Sequence, residues 1–237
     1  MRNRGASTKQ VHARKKRSHN KIGQPEELDF RSMDVVEFFQ QSAGSWQSQR
    51  TTHHLAFKRS EMGESEIRVE ALAADHPEII ALCEFHQIDP HLAVAGSHVT
   101  WQGSMSWDRE NEGSHVGETV FALVPDQDNP RQGRLLRERG YAEIMPVVGR
   151  YLMDDDGGLV LTTEYETMSS IERFWFASPN FRLRTSTVKR FGGFSTTSFC
   201  TESRIEADST TALGENFTSE TVQKDVTSKS FYSLLGW

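Results

Sequence analysis

Two stretches of the chain alternate with a period of two and predict β-strands. In the first, Val99, Trp101, Gly103, Met105 and Trp107 fall on one face while Thr100, Gln102, Ser104 and Ser106 fall on the other. The second runs from Leu161 to Ile205. There Glu172, Phe174 and Phe176 share one face of a strand, Ser178-Pro179-Asn180 reads as a turn, and Arg182, Arg184 and Ser186 share one face of the returning strand. A hairpin with one solvated face normally alternates apolar with polar residues, whereas here a carboxylate and two guanidinium groups stand among aromatics. Two readings follow: a pocket wall for an amphiphilic anion, or arginines that simply face water.

Shorter segments extend the series. Gln47 to Lys58 reads as a strand, Met62-Gly63 as a turn, and Ile67, Val69 and Ala71 as positions of the next strand. Thr119 to Val124 reads as a strand stopped by Pro125, Asp126 to Gln132 as a polar loop, and Gly133 to Gly140 as a strand of mixed character. Val147 to Met153 turns through Asp154-Asp155-Asp156-Gly157-Gly158 into Leu159 to Thr167, and Phe194 to Ile205 closes the series. Helical spacing is confined to two places. Asp34 and Glu37 form a capping box, with Met33 and Phe38 as a staple, at the head of a short helix Val35 to Ser42. Asp75 and Glu78 form a second box ahead of an apolar stripe of Ile79, Ile80, Leu82, Cys83 and Phe85, which predicts one flanking helix.

About eight to ten strands with few helices predict an all-β fold, an antiparallel barrel. Gly44-Ser45-Trp46, directly after the first helix, resembles the entry of lipocalin-like barrels, where the Trp plugs the closed end and an Arg of the last strand covers it. Arg204 stands where that partner is expected.

Composition changes the picture at the two ends. Residues 1–32 carry Arg2, Arg4, Lys9, Arg14, Lys15, Lys16, Arg17 and Lys21 with no acid before Glu26, and predict a basic disordered extension. A solvated tail, a plastid-targeting segment and a start upstream of Met33 compete to explain it; too few apolar residues for an amphipathic helix speak against targeting, and a dispensable tail is the favoured reading. Residues 33–206 form the barrel. Residues 207–237 read as a flexible Ser/Thr-rich tail, although Phe231-Tyr232-Ser233-Leu234-Leu235-Gly236-Trp237 is apolar enough to dock. With a net charge of -6 and a basic head, the body is acidic, which argues against nucleic acid as a partner. No apolar run of about eighteen residues predicts a membrane span. Cys83 and Cys200 lie in apolar segments and suggest a reducing compartment, and the start lacks the apolar core of a secretory signal, so a cytoplasmic location is expected.

Most catalytic chemistries find no support. His53 and His54 are adjacent and point to opposite faces of a strand, and the other histidines lack ligand spacing, so no metal site is expected. Asp154 to Asp156 lacks the spaced ligands of a calcium loop and reads as a turn. Gly192-Gly193 lacks the strand-loop-helix setting of a phosphate cradle. Cys83 has only His86 as a base on its helix face and reads as a buried structural thiol. What remains is an interior with Arg182, Arg184 and Ser186 as anion donors, a carboxyl from Glu164, Glu166 or Glu172 as proton carrier, and Trp101, Met105 and Trp107 as a flat apolar wall. Arginines beside carboxylates also suit structural ion pairs. Two arginines in register suit two carboxylates on one ligand, and a long conjugated molecule with two propionates and a row of pyrrole nitrogens fits the whole set.

From Met33 to about Glu206 the chain resembles the S-type phycobilin lyases, the CpcS/CpeS family. The resemblance is carried by MDVVEFFQQSAGSW, QRTTHHLAFKRSE, GRLLRERGYAE, LTTEYETMSSIERFWFASPNFRLRTSTVKRFGGFS and SFCTESRI. It implies a ten-stranded calycin barrel that binds a linear tetrapyrrole and delivers it to a cysteine of a phycobiliprotein. Carried onto matching positions, it implies that Arg50, Arg182, Arg184 and Ser186 contact propionates or ring polar groups, that Glu172 meets the pyrrole nitrogens, and that Trp101 and Trp107 line the cavity. It further implies phycocyanobilin or phycoerythrobilin as bound substrate rather than a permanent cofactor. The acceptor is then an alpha or beta phycobiliprotein subunit, the chain works as a homodimer or with a related lyase, and the site of action is the cyanobacterial cytosol, or the plastid stroma in an alga. A proton on the bilin makes it a better electrophile, and an apolar surrounding that favours the neutral carboxyl suits Glu172 to supply it. A passive carrier of bilins or other amphiphilic molecules shares the barrel and the anion clamp and stays open beside the lyase.

Overall fold

A computed structural model describes residues 30–105, 115–137, 147–164 and 167–205. Trp107, Glu166, the basic head up to residue 29 and the tail from residue 206 lie outside the described residues. The strands are β1 (Gly44–His54), β2 (Arg59–Ala73), β3 (Ala95–Met105), β4 (His115–Asp126), β5 (Asn129–Arg137), β6 (Val147–Met153), β7 (Leu159–Glu164), β8 (Met168–Ser178), β9 (Phe181–Arg190) and β10 (Ser195–Arg204). Each pairs antiparallel with its neighbours, and β10 pairs with β1, so the sheet closes into the expected all-β barrel. Two α-helices accompany it, α1 (Val35–Ser42) and α2 (Pro77–Phe85).

Helix α1 closes one end. Asp34 accepts from the Glu37 amide at 2.8 Å while the Asp34 amide donates to the Glu37 carboxylate at 2.8 Å, which is the expected capping box. Val35, Phe38 and Phe39 are thereby turned into the barrel, where they meet buried Trp46 and Phe176. The Trp46 indole donates to the Ser42 carbonyl at 2.8 Å. Arg204 lies 4.2 Å above the Trp46 ring and donates to the carbonyls of Ala43 and Gln41, so it covers the Trp as the Gly-x-Trp pattern implies. Phe30, in a short 3-10 turn before the helix, stacks on Phe176 at 5.7 Å. Arg204→Met keeps much of the stem but removes these bonds and the ring contact. A loss of about 2–4 kcal/mol in urea unfolding is expected, and a loss below about 0.5 kcal/mol would show that the cap is decorative.

A second apolar layer lies outside the barrel. Ile79, Leu82 and Cys83 of α2 pack with Leu72, Ala122, Val124 and Leu136, while Phe85 of the expected stripe stays exposed. A Cβ on Gly96 would meet Ile79 Cδ1 at 2.1 Å, so the helix can lie this close only over a glycine. The N-cap is His76, whose ring accepts from Glu78 N at 3.4 Å, and not Asp75. Pro77 explains the difference: it holds the residue before it extended and itself suits the first helical position, which moves the cap to His76. His86 Nε2 donates to the Arg137 carbonyl at 2.7 Å and ties the helix end to β5, leaving Cys83 a buried packing thiol.

Three other expectations are corrected. The β1–β2 turn is not at Met62-Gly63, which pair with Thr51 and Arg50 inside the ladder; it is the 3-10 turn Leu55–Phe57 followed by Lys58 at φ 52°. Asp126 to Gln132 is not a loop but a tight hairpin in which Asp126 pairs with Asn129. Arg150 clamps Asp126 with bonds of 3.1 and 2.5 Å and Gln132 donates to it at 3.1 Å, so the polar residues brace the turn. Pro125 does not end β4; it sits at a register shift, where a missing amide costs the ladder little. The acidic stretch after β6 is a turn as expected: Asp154 accepts from the amides of Asp156 and Gly158, and Gly157 has φ +78°.

Candidate functional site

Inward positions of adjacent strands fall in register, and on β8, β9, β10 and β1 they make three tiers. The lowest, next to the plug, is Phe176, Arg182, Glu202 and Ser48. Above it lie Phe174, Arg184, Cys200 and Arg50. The upper tier is Glu172, Ser186, Ser198 and Thr52. Arg182, Arg184 and Glu172 face the interior rather than water, with exposures of 2%, 1% and 0%.

Burying charge in a barrel is costly unless the charges meet one another. Glu202, also fully buried, receives Arg182 Nε at 2.6 Å and lies 3.6 Å from Arg184 Nε. Glu172 lies 3.9 Å from Arg184 Nη1. Arg184 Nη2 reaches the Cys200 sulfur at 3.2 Å. The ring faces complete the setting, with Arg182 4.8 Å from Trp46 and Arg184 5.4 Å from Phe174. Burial pulls the Arg184 pKa down, but Cys200, Glu202 and Glu172 together hold it above the ordinary value, so it stays charged. Burial pushes the Cys200 thiol up against the pull of Arg184, so it remains a thiol.

The two arginines are therefore unlike. Arg182 is committed to Glu202 at short range, whereas Arg184 stands between two carboxyls at longer distances. With Arg50, the described inner positions of these four strands gather three guanidinium groups beside two carboxyls. That balance suits an anionic guest.

Trp101 stands on β3, five strands from β8 in either direction round the ring, so it belongs to the opposite wall. Its indole lies against Gly117 of β4: a Cβ there would come 2.2 Å from Trp101 Cζ2. Gly117→Ala is expected to displace the indole and weaken binding of a flat ligand about tenfold with little change in melting temperature. Fluorescence titration checks it, and unchanged affinity would remove Trp101 from the site. Met105 ends β3, Trp107 and Glu166 lie outside the described residues, and Glu164 is exposed on the outer face, so Glu172 is the interior carboxyl among the described candidates.

Glu202, Cys200, Ser48 and Thr52 escaped the sequence reading. Phase from Arg204 inward, Arg204, Glu202, Cys200, is the signal that would have found the first two. Arg137, nearly buried with its guanidinium 5.6 Å from the Phe121 ring, adds a further interior cation on β5.

Comparison with known proteins bears on the same residues. The family model described as CpeS-like protein matches residues 34–205. Chromophore lyase CpcS/CpeS 2 of Trichodesmium erythraeum is 59% identical over 206 residues, covering 86% of this chain and 100% of the relative. Phycocyanobilin lyase subunit CpcS of Picosynechococcus is 58% identical, covering 86% of this chain and 98% of the relative. The solved structure of S-type phycobiliprotein lyase CPES from Guillardia theta superposes with a TM-score of 0.68 at 36% identity, covering 78% of this chain and 99% of that one. A matched segment that spans the closing helix, all ten strands and every tier of the buried wall shows that the chain belongs to the CpeS-like family.

Proposed function

We propose that this protein is a chromophore lyase, which binds a linear tetrapyrrole and attaches it through a thioether to a cysteine of a phycobiliprotein subunit. The observation that carries the reading is the buried ladder of guanidinium and carboxyl groups on β8, β9 and β10 opposite the Trp101 indole. The names of relatives at 59% and 58% identity support it. In this reading Arg184 and Arg50 hold the propionates, Ser186 meets ring polar groups, Glu172 meets the pyrrole nitrogens, and Trp101, Met105 and Trp107 form the flat wall. Arg182 takes a propionate only by giving up its 2.6 Å contact with Glu202, so its first role is to set the charge of the cavity floor.

The acceptor's thiolate adds to the ethylidene carbon on ring A of the bilin. A carbon–sulfur bond forms, the double-bond pair moves into the ring and takes up a proton, and no group leaves. Glu172 holds the proton that makes the tetrapyrrole cationic and more electrophilic, and the remaining acceleration is positioning. Cys200, kept as a thiol by burial, does not capture the bilin first.

Phycocyanobilin, named for one relative, is the bilin to test first. That relative is called a lyase subunit, which supports action as a dimer or beside a related chain. Two buried free cysteines support the reducing cytosol or stroma as its location. Co-production with a bilin and an apo-phycobiliprotein subunit, read on a denaturing gel by zinc-enhanced fluorescence, should give a covalent band that depends on this protein. Pigment bound by the protein without such a band would contradict the lyase and leave a carrier.

A further inference from the structure

We propose that the end of the barrel opposite the plug carries a docking surface for the acceptor subunit, built from aromatic side chains and edged by basic ones; it rests on the transfer activity proposed above. The plug of α1, Trp46 and Arg204 closes the end where β1 begins and β10 ends. The β1–β2 and β9–β10 connections therefore lie at the other end, and they carry the most exposed aromatics among the described residues. Phe57 is 69% exposed, Phe194 50% and Phe191 88%. Phe57 and Phe194 stack across the two connections with ring centroids 5.8 Å apart and planes 14° from parallel.

These rings are held out by backbone geometry. The Phe191 amide donates to the Thr167 carbonyl at 2.8 Å, and Arg190 N donates to Phe194 O at 2.9 Å. Gly192 and Gly193, at φ +85° and +82°, make the turn between them, and Lys58 at φ 52° reverses the chain after Phe57. Lower on the outer wall, Thr51 pairs with both Met62 and Phe199, so two more exposed apolar side chains flank one strand on that side of the barrel. Exposed aromatic rings stacked on one another and held in place mark an interaction site rather than chance exposure.

Lys58, Arg59 and Lys189 are exposed in the same connections, although the chain as a whole carries a net charge of -6. Arg59 lies 3.5 Å from Glu61, which His54 also engages at 2.9 Å. An apolar centre with a cationic edge suits a protein face that is apolar beside acidic groups. Continuity with the site selects the acceptor as that protein. Thr52 of the upper tier precedes Leu55 by three residues, and Ser198 of the same tier follows Phe194 by four. The plug blocks the other end, so a thiol bound for the bilin comes from this one, and only a docked acceptor brings it. A membrane seated there would cover this end and supply no thiol.

The test uses the full chain loaded with phycocyanobilin and a titrated apo-phycobiliprotein subunit. Two variants are compared with the unaltered protein: Phe57→Ser with Phe191→Ser and Phe194→Ser, and Lys58→Glu with Lys189→Glu. Each should lower kcat/KM for the acceptor at least tenfold through KM, with bilin affinity within twofold and the melting temperature retained. Raising NaCl from about 50 to 500 mM should slow the unaltered protein and slow the charge variant much less. Transfer at the unaltered rate by both variants overturns the proposal. So does loss of bilin binding in step with transfer in both, which would assign the surface to the pigment. Vesicles of phosphatidylglycerol and phosphatidylcholine and sedimentation velocity cover the other occupants: a vesicle affinity or a dimer removed by the aromatic changes, with transfer intact, also overturns it. Failure of the unaltered protein to transfer overturns the lyase reading and this one together, whereas normal transfer by both variants overturns this one alone.

Discussion

Arg184→Met should lose both bilin affinity and stability, the affinity by more than any other substitution in the wall. The side chain is 1% exposed and lies 3.9 Å from Glu172 and 3.6 Å from Glu202. Methionine fills much of its volume but leaves two buried carboxyls without that cation, a change that costs about 3–5 kcal/mol in other buried pairs. Urea unfolding reads this directly. Bilin affinity should fall about 100-fold, the factor that corresponds to roughly 3 kcal/mol for a desolvated charge pair broken on one side. Arg182→Met is the informative partner. It frees Glu202 from its 2.6 Å contact beside the plug, so it should cost similar stability but less affinity. Equal losses of affinity would show that both arginines hold the ligand.

Glu172→Gln should separate binding from transfer. The amide keeps the shape of the side chain on β8, opposite Ser186 in the register, so bilin affinity should stay within about threefold. The rate of thioether formation should fall about 100-fold, the low end of what a positioned acid contributes. A stopped-flow trace of bilin protonation, read from the red-shifted absorbance of the cation, should lose amplitude in parallel. Transfer at the original rate would remove Glu172 from the chemistry. Glu202→Gln is the control for mere charge loss. Arg182 loses its close ionic partner there, so the expected defect is in stability rather than in the transfer step.

The legible part of this protein was the part where the two faces of an element differ. The closing helix could be read because Asp34, Glu37 and Phe38 obey local rules that tertiary structure did not override. The hairpin of β8 and β9 could be read because aromatic and charged residues share the inner phase, and its turn fell where Pro179 and Asn180 stand. β10 was harder. Its inner positions are Ser198, Cys200 and Glu202 and its outer ones include Thr197, Phe199 and Thr201, so the alternation that marks a half-buried strand is weak. Glu202 is buried only because Arg182 and Arg184 are, and that dependence lies across strands rather than along the chain. The same holds for β2, where Glu61, Ser65, Glu64 and Glu66 put polar side chains on both faces and the Gly63 turn signal has no competing apolar alternation. The hairpin at Asp126 was hidden for the opposite reason. Polar residues that normally mark a loop are there consumed by Arg150 and Gln132.

The account rests on carboxylates of the ligand meeting the buried guanidinium groups of β9 and β1, and esterifying those carboxylates tests it most directly. Titration of the unaltered protein with phycocyanobilin and with its dimethyl ester should give an affinity at least 30-fold lower for the ester, and the difference should shrink in Arg184→Met, where Arg50 remains. Equal affinities of the unaltered protein for acid and ester would contradict the assignment of the buried arginines as the bilin's anchors.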